Sequence, residues 1–383
     1  MFTETFKTQI MKTIFKSSLL LALLISFLVG NAKNEKDNPD KQFIKVALLL
    51  DTSNSMDGLI DQAKAQLWGI INELSYAKCN NERPNLLIAL YEYGNDGLNA
   101  QEGYIRQIIG FSDDLDDISK ELFSLTTNGG SEFCGQVIQT SLNQLEWGNN
   151  PDDLKLIFIA GNEPFTQGRV NYKDAAINAN EKEVTVNTIY CGDYNQGIST
   201  FWKDGAALTK GDYLSINHNQ ATVYIASPYD DTILILNKKL NKTYIAYGER
   251  GKDKIKLQAV MDSEAESYSN ANAVGRTISK SSHLYKNSKW DLVDAVADEE
   301  IVIEDLKSAS LPEELKGKSS DEIKTYIKQK SIERAAIQKE IQQLNIKRKL
   351  FISEQQKENS NGLENAMVNA IKAQAKKKNY KWD

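Results

Sequence analysis

Apolar residues along the chain occur in two alternating kinds of segment. Short continuous apolar runs, such as FIKVALLL at 43–50, are typical of strands that a parallel sheet buries on both faces. Between these runs, apolar residues recur every three or four positions, as they do over 59–74, which indicates helices with one buried face. The repeated strand and helix units over 42–248 predict a mostly parallel α/β sheet with helices on both faces.

The chain after this domain has a different pattern. Residues 249–318 mix polar and shorter apolar stretches, which predicts an irregular extension or a linker that packs on the first domain. Residues 319–383 predict a long helix and then, from Leu363, a second amphipathic segment;. The long helix has a coiled-coil-like seam of Ile337, Ile341, Leu344 and Phe351, which Arg334 and Arg348 interrupt;. We therefore predict a helical hairpin or coiled coil, which packs on the first domain or mediates self-association.

The amino-terminal residues 1–32 have the form of a secretory signal peptide. Two lysines precede an apolar stretch at 19–29, and the small residue Ala32 follows it;. We expect cleavage after Ala32, a polar linker at 33–41, and a periplasmic or secreted protein. The alternative is a retained membrane anchor, although the apolar stretch is short for a spanning helix.

Composition and charge are those of a globular protein. The chain has 383 residues, of which 41% are hydrophobic and 26% charged, so a well-buried core is expected. Its net charge of -6 is spread along the chain, which does not favour a nucleic-acid partner. There are three cysteines, and an oxidising compartment would permit one disulfide without indicating which pair forms it.

Candidate chemistry follows the first predicted strand, in ALLLDTSNSM at 47–56. Asp51, Ser53 and Ser55 place a carboxyl group and two hydroxyl groups at alternate positions. Ligands of open parallel sheets gather at the carboxyl ends of the strands. Carboxylate and hydroxyl oxygens are hard ligands, which suit Mg²⁺, Mn²⁺ or Ca²⁺.

This arrangement resembles the von Willebrand factor A (VWA) domain family, whose metal-ion-dependent adhesion site begins with D-x-S-x-S after the first strand. The resemblance rests on Asp51, Ser53 and Ser55 and on the order of elements, and it implies a doubly wound fold. In the family, a threonine that usually follows paired glycines also contacts the metal. The segment TTNGGSEFCG has Ser131 in that place, with Thr127 as the alternative.

The third loop of the family normally supplies an aspartate in a T-D-G pattern. Here Ala160, Gly161 and Asn162 stand at those positions, so the expected carboxylate is missing. The resemblance leaves Glu163 or Asn162 to reach the metal directly or through water. With one carboxylate fewer, we expect weak affinity for the divalent cation, Mg²⁺ first and Mn²⁺ or Ca²⁺ next, until a partner contributes an acid.

The resemblance also gives the cysteines an interpretation. It places Cys134, just after the paired glycines, and Cys191, at the end of a strand, at the metal-bearing end of the sheet. It places Cys79 toward the opposite end. It therefore implies a disulfide between Cys134 and Cys191.

The resemblance implies an exported, non-enzymatic binding protein that recognises an acidic group of a protein partner through the metal. An alternative is a metal-free scaffold of the cell envelope that assembles through its carboxyl-terminal helices. A hydrolase is disfavoured because the two histidines, His218 and His283, lie in no recognisable motif and no G-x-S-x-G is present;. A haloacid-dehalogenase-type phosphotransferase would need an aspartate where Ser53 stands.

Overall fold

A six-stranded sheet lies at the centre of the computed structural model, which describes residues 42–220, 224–355 and 363–382. The described strands are β1 (Phe43–Asp51), β2 (Ala77–Cys79), β3 (Asn85–Tyr93), β4 (Ile105–Ser112), β5 (Leu154–Gly161), β6 (Thr185–Cys191), β7 (Tyr213–Ile216) and β8 (Tyr380–Trp382). The order in the central sheet is β4-β3-β1-β5-β6-β7, in which only β4 runs antiparallel to its neighbour. When only the strands of this sheet are numbered along the chain, their order in space is that of doubly wound folds;. The predicted fold class is confirmed.

Helices cover both faces of this sheet. The described α-helices are α1 (Asp57–Leu74), α2 (Leu115–Phe123), α3 (Cys134–Gln144), α4 (Tyr172–Glu181), α5 (Tyr194–Ser199), α6 (Trp202–Ala207), α7 (Asp230–Asn241), α8 (Gly248–Tyr268), α9 (Asn270–Lys280), α10 (Leu292–Ala297), α11 (Ser320–Gln355) and α12 (Leu363–Ala375). Short 3-10 helices lie at Asn54–Met56, Ala100–Glu102, Ile303–Asp305, Ser308–Ser310, Glu313–Leu315 and Lys376–Lys378.

Strand β1 shows why the central strands are largely apolar. Val46, Leu48 and Leu50 belong to the core on one face of the sheet, which α1, α2, α7, α9, α11 and α12 cover. Ala47 and Leu49 belong to the core on the other face, which α3, α4 and α6 cover. Because successive side chains of a strand point to opposite faces, a strand buried on both sides has no polar positions to alternate with.

The segment that the sequence predicts to be irregular contains three helices, α8, α9 and α10. The buried face of α9 explains why its periodicity is hard to read, because Arg276, Thr277, Ser279 and Lys280 lie there beside Val274 and are all at most 1% exposed. A helix that buries polar residues shows no simple apolar stripe. This part of the chain is therefore an integral layer of the fold.

The two carboxyl-terminal helices are present as predicted, but their packing differs from a hairpin. Helix α11 packs mainly against α7, α9 and α10, whereas α12 packs mainly against α1. Arg334, on the predicted seam, donates to Asp291 at 2.6 Å, and Arg348 donates to Asp230 at 2.9 Å. These arginines thus anchor α11 to the rest of the protein.

The last described strand pairs with a strand near the start of the domain. Strand β8 pairs antiparallel with β2, the strand that follows α1. The described residues form one compact unit from Gln42 onward. The signal peptide and polar linker predicted for 1–41 lie outside the described residues. No described helix has the length and apolar character needed to cross a membrane.

Candidate metal-binding site

Three loops meet at the carboxyl end of β1. The loop after β1 is tied to the loop before α3 by two backbone hydrogen bonds, from Asn128 N to Thr52 O at 2.9 Å and from Asn54 N to Gly129 O at 3.0 Å. Ser131 adds an isolated antiparallel bridge to Gly94, directly after β3. The third loop follows β5, which lies beside β1 in the sheet. The fold therefore brings to the first loop a second and a third loop that lie about 80 and 110 residues farther along the chain.

Asp51 lies at the centre of this edge and is fully buried, with 0% exposed. Its Oδ1 accepts a hydrogen bond from Ser53 N at 2.8 Å. The Ser53 and Ser55 hydroxyl oxygens lie 3.2 Å apart. The other carboxyl oxygen, Asp51 Oδ2, is buried and has no hydrogen-bond partner among the described residues. The predicted D-x-S-x-S group thus includes a buried carboxyl oxygen that lacks a partner in the described chain.

The third loop shows why an aspartate is absent there. A Cβ atom at Gly161 would lie 2.5 Å from Tyr93 Oη and 3.1 Å from Asp51 Oδ2, so any side chain would collide with its neighbours. The next residue, Asn162, donates from Nδ2 to Ser55 Oγ at 3.3 Å. Its Oδ1 is buried without a hydrogen-bond partner in the described chain. The structure thus brings the Asn162 amide to the predicted ligands.

Glu163 lies beside the site but is engaged elsewhere. Its carboxylate accepts a hydrogen bond from Gln167 Nε2 at 3.0 Å. Its backbone carbonyl accepts one from Trp202 Nε1 at 2.8 Å, and its backbone N–H donates to Glu132 Oε2 at 3.3 Å. The loop is therefore fixed by Trp202, while the Glu163 side chain bonds within its own loop.

The second loop presents Ser131 and Thr127 differently. Ser131 is half-buried and its backbone pairs with Gly94, next to Asp51. Thr127 donates its hydroxyl to Asp57 at the start of α1. Of the two predicted hydroxyl ligands, Ser131 thus lies in the strand-like part of the loop that adjoins the site, whereas Thr127 bonds to the Asp57 side chain at the start of α1.

Glu132 is the residue at this site that sequence reasoning missed. It is only 2% exposed, and its carboxyl group lies within hydrogen-bond reach of the Asp51 carboxyl and the Ser53 side chain. The sequence feature that could have identified Glu132 is its position directly after Ser131, in the same loop.

Burial raises the pKa of both carboxyl groups. The pKa of Asp51 lies well above its ordinary value because of burial and then because of Glu132. The pKa of Glu132 is also raised, chiefly by burial, although hydrogen bonds to Asp51 and Ser53 oppose the shift. Ionisation of both carboxyl groups at this buried place is therefore unfavourable without a cation.

We expect the protein in chelator to lose stability as the pH rises above about 4, the ordinary carboxyl value. A carboxyl group with a raised folded-state pKa stabilises the fold fully below its ordinary pKa, and that contribution is lost as the pH rises through the raised value. Urea unfolding in EDTA at several pH values would measure this loss. Asp51→Asn, which removes one member of the pair, should flatten the dependence; an equal slope in this variant would contradict the assignment.

The implied Cys134–Cys191 disulfide is wrong. All three cysteines are free and buried. Cys134 Sγ lies on one face of the sheet, 3.9 Å from Tyr93 Oη, whereas Cys191 belongs to the core on the other face. The sheet therefore separates the two thiols, although both lie near the same edge.

The donor set fits a hard divalent cation. It contains carboxyl, hydroxyl and amide oxygens, and the buried oxygens of Asp51 and Asn162 that lack partners are of the kind that a cation would coordinate;. In the described part of the chain, no group of three or more His, Cys, Asp or Glu side chains could hold a metal. Any cation here would therefore depend on the serine and asparagine oxygens as well.

Sequence comparison with known families finds no match: neither a family model nor a curated protein matches the chain. Solved structures are similar to it. The conserved hypothetical protein BatB from Bacteroides thetaiotaomicron is 15% identical, with 45% of this chain and 90% of that chain covered and a TM-score of 0.35. The SpRpn10 VWA domain is 14% identical over 47% of this chain and 99% of that chain, at a TM-score of 0.34.

A third similar structure is that of proximal thread matrix protein 1 from the mussel byssus, with a zinc-occupied MIDAS motif. It is 10% identical, with 46% of this chain and 42% of that chain covered and a TM-score of 0.33. In each of the three cases, the similarity covers less than half of this chain.

Proposed function

We propose that this chain is an exported, non-enzymatic binding protein of the VWA type that recognises a protein partner through a divalent cation at the carboxyl end of β1. The observation that carries the proposal is the buried Asp51 Oδ2, which has no hydrogen-bond partner among the described residues. Asp51 ends β1 directly before the loop that holds Ser53 and Ser55, whose hydroxyl oxygens lie 3.2 Å apart. An unsatisfied buried polar atom costs about 1–3 kcal/mol. A bound cation would remove that cost.

The proposed ligands are Asp51, Ser53, Ser55 and Ser131. Mg²⁺ is the expected ion, with Mn²⁺ or Ca²⁺ as substitutes, because all of these side chains offer oxygen. When bound, the cation supplies an electron-poor coordination position that an acidic group of a partner can enter. Glu163, the fifth predicted ligand, would first have to leave Gln167.

The envelope scaffold is the alternative function, and α11 is the element on which it depends. One side of α11 buries Ile337 and Ile341 in the core, while Ile332, Ile346 and Leu350 on other parts of the helix are 58–63% exposed. Self-association through these helices stays a prediction. Removal of divalent cations distinguishes the two functions, since a metal-free scaffold would retain its partners in EDTA.

We expect the full chain to bind Mg²⁺ or Mn²⁺ saturably and the Asp51→Ala/Ser53→Ala double variant to lose that binding, because two of its oxygen ligands are gone. Isothermal titration calorimetry would measure both. Asp61→Ala, on the exposed side of α1, is the matched control and should bind as the unchanged chain does.

The second step tests recognition of an acid. Peptides that carry aspartate or glutamate, and the same peptides with asparagine or glutamine, are applied to the immobilised chain in Mg²⁺ and in EDTA. The proposal expects retention of the acidic peptides in Mg²⁺ alone. Cation binding without any preference for the acidic peptides would contradict partner recognition through the cation.

A further inference from the structure

Glu132 is a buried acid beside a site in which the usual third-loop carboxylate is missing. We propose that Glu132, from the second loop, supplies the second carboxylate of the cation site in place of the third-loop aspartate. This inference rests on the proposed function, and it identifies which acid of this chain completes the site. It differs from the sequence-based expectation, in which Glu163 or Asn162 would take that role.

The first argument is proximity. A Cβ atom built on Gly94 would lie 2.7 Å from Asp51 Oδ1 and 2.8 Å from Glu132 Cγ, so both acidic side chains pack over the same backbone atom. Gly94 has φ +82°, a conformation that residues other than glycine rarely adopt;. Its missing side chain therefore leaves the space in which the two acids meet.

The second argument is charge. Asp51 and Glu132 are at most 2% exposed, and none of the principal influences on their pKa values comes from a lysine or an arginine. Burial of two carboxylates without a positive charge is strongly unfavourable. A shared proton or a bound cation resolves this conflict, and only the cation also uses the neighbouring serine oxygens.

The third argument is independent of the two acids' charges. Asp51 Oδ2 is fully buried without a hydrogen-bond partner in the described chain, and the same is true of Asn162 Oδ1 on the opposite loop. Asn162 reaches the site through its bond to Ser55. Buried oxygens that lack donors thus come from the end of β1 and from the third loop, which meets the first loop at Ser55, and oxygens of this kind can coordinate a cation;.

Glu163 is the less suitable acid. Its carboxylate is held by Gln167, and its backbone N–H donates to Glu132 Oε2. The hydrogen bond from Glu163 N therefore helps to orient Glu132. With Asp51 and Glu132 both ionised, the site carries the two negative charges that balance a divalent cation, so the cation binds before any partner arrives.

The test compares Glu132→Gln with Glu163→Gln in the full chain, and the probe is Mn²⁺ followed by electron paramagnetic resonance. Because even residues that only support a metal ligand commonly alter affinity 10–100-fold, we expect Glu132→Gln to weaken Mn²⁺ binding at least about 100-fold and Glu163→Gln less than about 10-fold. Wild-type affinity in Glu132→Gln, with binding lost in Asp51→Asn, would overturn the role of Glu132 and leave the proposed function intact. No Mn²⁺ binding by the unchanged chain would overturn both.

A second variant separates ligation from structural support. Glu132→Cys replaces a hard oxygen ligand with a soft thiolate, so the preference for Cd²⁺ over Mn²⁺ should increase relative to the unchanged chain. Glu163→Cys is the matched control and should show no such increase. An unchanged metal preference in a folded Glu132→Cys protein, checked by circular dichroism, would overturn the proposal.

Discussion

A fragment that ends at residue 248 is expected not to form a stable domain, although the sequence pattern places the α/β domain at 42–248. The core on one face of the sheet is completed by later residues. Those that are at most 3% exposed include Val274, Ile278, Trp290, Ile341, Leu363, Met367, Ala370, Ile371, Ala375 and Tyr380. Burial of one large apolar side chain contributes about 1.5–3 kcal/mol, and a whole domain is typically stable by only about 5–15 kcal/mol. The burial free energy lost with these side chains therefore exceeds the free energy of unfolding of a typical domain.

Thermal unfolding followed by circular dichroism would measure the effect in 42–248, with 42–383 as the control. The longer chain should unfold in one cooperative transition, because its described residues form one compact unit. The fragment should show no cooperative transition and should aggregate through its uncovered sheet face. A cooperative transition in the fragment would show that the later helices are dispensable. Binding experiments therefore require the complete chain.

Arg276→Met is expected to destabilise the protein by about 3–5 kcal/mol, the usual effect of removing one partner of a buried ion pair. Arg276 is 1% exposed. It donates to Asp262 Oδ1 at 2.6 Å and to Asp116 Oδ1 at 2.6 Å, and thus links α9 to α8 and α2. Methionine would leave Asp116 without its ion-pair partner, whereas Asp262 would keep Lys280.

Urea unfolding would measure this destabilisation. Lys254→Met is the matched control, because Lys254 also pairs with two acids of or beside α2, Asp114 and Asp117, but at a partly exposed position. Exposed ion pairs contribute about 0–1 kcal/mol, so the control should lose no more than that. An equal loss in both variants would contradict the importance of burial.

The same network predicts how Asp262 responds to acid. Burial alone would raise its pKa, but the charges of Lys280 and Arg276 outweigh burial and hold the pKa well below the ordinary value. A carboxyl group with a lowered folded-state pKa stabilises the fold above its ordinary pKa and loses that contribution as the pH falls. This behaviour is opposite in sign to that of Asp51 and Glu132, so the two buried groups of acids make the protein sensitive to pH in different ways.

The cysteines show that two thiols near the same edge of a sheet can still be too far apart to pair. The sequence places both Cys134 and Cys191 near the metal-bearing edge, and the structure agrees with that placement. However, β6 directs Cys191 to the core that contains Ile189, while α3 contributes Cys134 to the opposite core. Which face a side chain occupies depends on strand register, since a shift of one residue reverses it.

The sequence by itself determined the elements whose pattern is local. The central strand β1 is apolar at nearly every position because both of its faces are buried, and α1 repeats its apolar residues at helical spacing;. The spacing of Asp51, Ser53 and Ser55 is also local, so one loop brings them together. Elements β1 and α1 and the start of the candidate site were predictable for these reasons, whereas the doubly wound order was implied by the family resemblance.

Only the tertiary structure decided the remainder, because it depends on contacts between distant segments. Arg276 of α9 is buried against acids of α2 and α8, and this contact between distant segments is not indicated by the local residue pattern of α9. Glu132 meets Asp51 because backbone pairing of Ser131 with Gly94 directs the second loop toward β1. Glu163 lies nearer the expected position in sequence, but Gln167 holds its carboxylate. Local residue patterns specify strands and helices, whereas the pairing of loops determines which acid faces the site.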